Sequence, residues 1–128
     1  NPAAVCWANN KRYFVSQDIG FCYAIDDVIE YHKLYENRMD DWTKRLSKRI
    51  YNLDYELLTG YQEIETQRLI EYLGLEWDEK CLSPENNTRS VKTASALQVR
   101  QKVYQGSSEQ WKKYQPFLNG VLDELPSL

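Results

Sequence analysis

Fourteen residues near the C-terminus, Val91-Lys92-Thr93-Ala94-Ser95-Ala96-Leu97-Gln98-Val99-Arg100-Gln101-Lys102-Val103-Tyr104, concentrate the groups that bind anions. They hold hydroxyls, amides and three cations. In Lys92-Thr93-Ala94-Ser95, hydroxyls and backbone N–H groups can donate to phosphate oxygens while Lys or Arg balances the charge. From Arg89 to Lys102 there are four basic residues and no acid, in a chain whose net charge is −3. A local basic segment in a mildly acidic protein suits one specific anion better than a polyanion. A solvated loop or a helix cap has the same composition, so the segment alone leaves both readings open.

Other candidates are weaker. His32 is the sole histidine, and its place on an apolar helix stripe favours a core or boundary role over catalysis. Asp26-Asp27 and Asp40-Asp41 are neighbours that face different sides of a helix, as solvated acids do. Tyr55 can stack on a purine or hydrogen-bond to it, or pack in a core among ten tyrosines. Lys11 and Arg12 can meet a phosphate or lie exposed. No GxxxxGKS/T, GxGxxG or GxSxG pattern is present. Cys6, Cys22 and Cys81 form no CxxC or His–Cys cluster, which argues against a metal site or a disulfide scaffold. Reduced thiols in a cytoplasmic protein are the expectation. The Asn86-Asn87-Thr88 tripeptide carries no weight without a secretory signal.

The whole chain has 128 residues, 42% hydrophobic and 13% aromatic, which suits one packed domain over residues 1–128 and not disorder. No apolar run approaches the roughly 18 residues of a membrane helix. The acidic balance disfavours nucleic-acid binding.

These residues need elements to position them. Asn1 to about Phe14 reads as a short helix with Pro2 in its first turn, and Val15 to Tyr23 as loop. A long helix is expected from Ile25 to Leu46. Val28, His32, Tyr35, Met39, Trp42 and Leu46 recur at steps of four and three, and the acids at its start and bases at its end suit the helix dipole. Arg49 to Asp54 is a strand candidate. A helix follows from Gln62 to about Leu73, with Gly74 at its C′ position. Glu76 to Ser90 reads as loop. A last helix begins near Ser107, where Ser107 and Gln110 have capping-box spacing, and Pro116 should kink or split it. The fold class is therefore mainly α with a short strand. A lone strand cannot complete its hydrogen bonds, which hints at a sheet elsewhere.

Several segments, in order, resemble the sulfotransferase superfamily, which uses the sulfate donor 3′-phosphoadenosine 5′-phosphosulfate (PAPS). The likeness is to bacterial enzymes joined to tetratricopeptide repeats and, more distantly, to tyrosylprotein sulfotransferases. Asn1-Pro2-Ala3-Ala4-Val5 is similar to the run after the family's 3′-phosphate arginine, which would stand just before Asn1. Ala8 falls where the family usually has a serine, and Arg12 resembles a nearby basic position. Leu53-Asp54-Tyr55-Glu56-Leu57-Leu58 resembles the strand-end "RYEDLV" segment, with Asp54 in place of arginine. Arg68 to Trp77 resembles "LLxFLGLxWD". Thr93 to Gln101 resembles the cofactor-closing "RTASxxQVRQ", with Lys92 in place of its arginine, and Trp111 to Tyr114 matches the terminal "WxxY".

The resemblance implies the C-terminal part of an α/β, P-loop-like sulfotransferase fold whose 5′-phosphosulfate loop, first strand and usual catalytic base lie upstream. It implies PAPS as donor, no metal, and cofactor contacts from Arg12, Tyr55, Thr93, Ser95, Gln98 and Arg100. The chemistry would be in-line sulfuryl transfer to a hydroxyl or amine, with no catalytic residue in this chain and no turnover by it alone. The partners implied are the nucleotide donor, an unidentified acceptor and the N-terminal portion of the same fold, with a second copy of the chain as a further candidate. A non-catalytic helical interaction module derived from the family is the alternative.

Overall fold

An asparagine starts the first helix of the computed structural model. The Asn1 side chain accepts from the Ala4 N–H at 3.1 Å, and Pro2 opens α1, Pro2–Asn10. Proline's fixed φ suits that first turn, where its missing N–H would be unpaired anyway. The structure describes residues 1–14, 17–91 and 96–126, without the side chain of Gln17. They fall into two compact units, Asn1–Ile50 with Gly106–Leu128, and Tyr51–Gln105.

In the first unit, α1 packs against α2, Ile25–Leu46, and against the 3₁₀ segment Ser107–Lys113. Ala3, Cys6, Cys22, Val28, Ile29, Trp111 and Leu122 form its core. The segment expected as loop contains a kinked 3₁₀ stretch, Gln17–Tyr23. It is tied down by the Asn10 side-chain amide, which donates to the Cys22 carbonyl at 3.0 Å. Tyr23 also donates its hydroxyl proton to the Phe14 carbonyl at 2.7 Å.

The expected bounds of α2 are the observed ones. Of its stripe only Val28, near the start, is buried, with Ile29 buried beside it. Tyr35, Trp42 and Leu46 further along are exposed. The last helix is not α-helical. Two 3₁₀ segments, Ser107–Lys113 and Gln115–Phe117, replace it, and the break between them falls just ahead of Pro116, which supplies no N–H to a continuing ladder. Trp111 still reaches the core.

The second unit corrects the strand candidate. Arg49 lies in a turn and residues 50–54 are irregular, and no strand occurs among the described residues. Asp54 acts instead as a helix cap. Its carboxylate accepts from the Leu57 N–H at 2.8 Å and starts α3, Tyr55–Gly60. An extended segment with no neighbour would leave its backbone groups unpaired, whereas a capped turn satisfies them locally.

Next comes α4, Gln62–Tyr72. Gly74, at φ 67°, ends it in the left-handed conformation that costs glycine nothing. The Leu75 N–H bonds the Ile70 carbonyl at 3.1 Å and the Gly74 N–H the Glu71 carbonyl at 2.9 Å, the paired closure of a Schellman turn. Glu65 is buried and ion-paired with Arg68 at 2.5 Å. No apolar side chain of this unit is buried among the described residues. Short 3₁₀ segments at Glu79–Leu82, Pro84–Asn86 and Gln98–Arg100 complete it. The described chain is thus mostly helical, and no described helix is long and apolar enough to cross a membrane.

Candidate functional site

Asn87 begins the site. Its side-chain oxygen accepts from the Arg89 N–H at 2.9 Å, an Asx turn that fixes the entry to the basic segment. At the exit, the 3₁₀ turn Gln98–Arg100 packs against the turn Pro84–Asn86. From there the Arg100 guanidinium donates through Nη2 to the Arg89 carbonyl at 2.5 Å. The chain between the two arginines is therefore closed into a loop, with a guanidinium at each end. Thr93 and Ser95, with Lys92 and Ala94, lie outside the described residues.

Gln98 and Arg100 are both exposed. Arg100 enters no ion pair among the described residues, so its charge is uncompensated. Tyr55 belongs to the same unit. It is the first residue of α3 and about half exposed, at 48%. Arg12 belongs to the other unit, just past the C-terminus of α1. Its N–H bonds the Asn9 carbonyl at 3.2 Å, and its side chain is half-buried without an ion pair among the described residues. Ala8 is exposed on α1. The structure thus groups Tyr55, Gln98 and Arg100 in one unit and places Arg12 in the other.

Just before the loop lies an open cavity of about 790 Å³ lined by residues from Asp78 to Thr88. Asp78 accepts from the Lys80 N–H at 2.9 Å, which holds its carboxyl below the usual range. Asp78, Glu79 and Lys80 all line this space, and the Lys80 ammonium lies 3.5 Å from the Asp78 carboxylate.

The sequence pattern did not mark Arg89 or Asn87 as site residues. The Asn-x-Arg spacing carried a usable signal, since Asn favours Asx turns onto the N–H two residues on. The α3 helix was also missed, although Asp three residues before Leu57 has N-cap spacing. No group of His, Cys, Asp and Glu placed to hold a metal occurs among the described residues.

A family model described as "Sulfotransferase family" matches residues 1–79. The chain belongs to that family. It is also similar to an uncharacterised protein of Aquifex aeolicus (strain VF5), with 33% identity over 127 residues, covering 98% of this chain and 17% of that protein. The chain therefore spans about a sixth of its relative's length, and the alignment extends over the Arg89–Arg100 loop, which the family model does not reach. No solved structure matches.

Proposed function

We propose that this chain supplies the adenine and 3′-phosphate side of a PAPS-dependent sulfotransferase. In this reading the enzyme moves a sulfuryl group from PAPS to a hydroxyl or amine, within the α/β, P-loop-like fold of its family and in a cytoplasmic setting. The observation that carries the reading is the closed Arg89–Arg100 loop, with two guanidinium groups that enter no ion pair among the described residues and no acid from Arg89 to Lys102.

Each residue has a definite task. Arg100 and the Thr93 and Ser95 hydroxyls bind phosphate oxygens, Gln98 adds an amide donor, Tyr55 meets the adenine and Arg12 the 3′-phosphate. Charge-assisted hydrogen bonds of this kind are about twice as strong as neutral ones. Positive charge held near the leaving phosphate stabilises the transition state of in-line transfer. The upstream parts of the fold bring the 5′-phosphosulfate contacts and the base.

The test is calorimetric titration of the chain with 3′-phosphoadenosine 5′-phosphate. Saturable binding that weakens in Arg100→Ala supports the reading, and identical binding by the variant removes Arg100 from the site.

A non-catalytic helical interaction module is the second reading. Asp54 favours it: where family members carry arginine, this chain places an acid that serves as a helix cap. An intact longer protein that binds no nucleotide would support the module.

A further inference from the structure

Away from the basic loop, a tight turn near the end of the first unit carries a reactive pair. Leu118-Asn119-Gly120-Val121 closes with the Val121 N–H on the Leu118 carbonyl at 3.0 Å. Its central residues both have positive φ, 50° at Asn119 and 76° at Gly120. That is the pattern of a type I′ turn, which favours Asn-Gly. The turn is tied to the core on both sides. Leu118 and Val121 pack against it, and Leu122 is buried within it.

Of the eight asparagines, Asn119 alone precedes a glycine. Asn119 and Gly120 are both exposed. Neither the Asn119 side chain nor the Gly120 N–H makes a hydrogen bond among the described residues. Gly120 has no side chain to shield its nitrogen. A nucleophile, the Gly120 backbone nitrogen, therefore stands next to an electrophile, the Asn119 side-chain carbonyl carbon, with both in water and unengaged.

Other asparagines lack this combination. The Asn9 and Asn10 amides donate to the Val5 and Cys22 carbonyls, each at 3.0 Å. Asn86 precedes Asn87, whose N–H is held by the Pro84 carbonyl at 3.1 Å. The Asn87 side-chain oxygen is held by the Arg89 N–H at 2.9 Å. Asn52 is exposed, but the Leu53 side chain crowds the nitrogen that would attack.

We propose that Asn119 is a site of spontaneous deamidation whose isoaspartyl product loosens the first unit. The Gly120 nitrogen gives its proton to solvent base and bonds to Cγ of Asn119. The bond from Cγ to Nδ2 breaks, and ammonia leaves with a proton from water. Water then opens the succinimide ring. Cleavage at the main-chain carbonyl gives isoaspartate, and cleavage at Cγ gives aspartate. Water is the sole co-reactant, and nothing is oxidised or reduced. Isoaspartate inserts a methylene into the main chain between Leu118 and Val121. The turn then no longer matches the spacing at which those residues and Leu122 meet the core, and close-packed interiors tolerate such shifts poorly. The site is separate from the cofactor reading and does not depend on it.

The test incubates the whole chain in mildly alkaline buffer. Mass spectrometry follows the tryptic peptide after Lys113, and enzymatic methylation detects isoaspartate. Asn119 is expected to convert first, with Asn52 and Asn87 intact over the same period. The converted chain is expected to unfold at a lower urea midpoint than fresh chain. Asn119→Gly keeps a pair suited to the turn and should show neither change. Asn119→Asp carries the new charge without the added methylene, and should keep most of the midpoint. Conversion confined to chain held unfolded in urea, conversion at Asn52 as fast as at Asn119, or an unchanged midpoint after conversion would overturn the proposal. The comparison of asparagines within the unaltered chain does not depend on how the variants fold.

Discussion

Arg100 holds Arg89 by its backbone, not its side chain: Nη2 of Arg100 reaches the Arg89 carbonyl at 2.5 Å. This divides the roles of the two residues. The Arg100 side chain closes the loop and presents charge, while the Arg89 side chain presents charge only. Removing Arg100 should therefore cost more than removing Arg89.

The Arg100 series follows from that geometry. Arg100→Ala is expected to weaken 3′-phosphoadenosine 5′-phosphate by roughly 10- to 100-fold, the scale of one hydrogen bond to a charged group. Arg100→Lys keeps the charge and loses the planar fork, so it should fall between the two. Arg89→Ala should cost less than either, because the carbonyl that accepts remains. Calorimetry at low and high salt checks the order. A larger loss for Arg89→Ala would show that the loop closure is irrelevant to binding.

Part of this site could be read from residue types, and part could not. The run of bases without acids from Arg89 to Lys102 is visible to inspection. The hydrogen bond that turns it into a closed loop joins residues eleven apart through a backbone carbonyl, which every residue possesses, so no side-chain pattern encodes it. The bounds of α2 were legible because period and terminal charges agree. Arg49–Asp54 misled because β-branched and aromatic content measures fit to a sheet, and the described chain offers that segment no strand to pair with. At Ser107 the expected split near Pro116 is present, but capping spacing marks only where a helix starts and does not distinguish the observed 3₁₀ turns from an α-helix.

The absence of turnover is the second expectation. With PAPS and either a phenol or an amine acceptor, the 128-residue chain should form no sulfated product above the uncatalysed rate. The base and the 5′-phosphosulfate contacts belong, in the proposed fold, to upstream residues. Radiolabelled sulfate transfer is the measurement, and any turnover abolished by Arg100→Ala would place the full chemistry within these residues.

Stability of the first unit should depend on Leu122. It is 2% exposed and packs in the core with Ala3, Cys6 and Trp111. Leu122→Ala removes apolar area and leaves a cavity, which costs about 2–5 kcal/mol. Urea unfolding should show this as a lower midpoint. In contrast, Leu97→Ala, at an 84% exposed position, should leave the midpoint almost unchanged. Equal effects would mean that the core is placed wrongly.

Cys6 predicts how the unit responds to alkali. Burial, reinforced by the Glu36 carboxylate, raises its thiol from 9.0 to about 11. The folded state therefore holds the proton more tightly than the unfolded chain. The stabilisation is complete below pH 9 and is lost as pH rises towards 11. Unfolding midpoints at pH 8, 9, 10 and 11 should fall more steeply for the native chain than for Cys6→Ala, since the comparison cancels the tyrosines and lysines that titrate nearby. Parallel slopes for the two would show that the thiol is not insulated by its surroundings.

Asp54 offers the sharpest separation of folding from function. Its carboxylate accepts the Leu57 N–H at 2.8 Å, and Tyr55 stands directly after it. Asp54→Ala removes the cap and should cost about 1 kcal/mol, while Asp54→Asn keeps an acceptor and should cost little. Asp54→Arg gives up the same cap yet restores the basic residue that the family pattern carries there. If Tyr55 and this position face the nucleotide, Asp54→Arg should lower the melting temperature as Asp54→Ala does and tighten 3′-phosphoadenosine 5′-phosphate binding at the same time. A variant that is destabilised without any gain in binding would assign Asp54 to the fold alone and shift weight to the interaction-module reading.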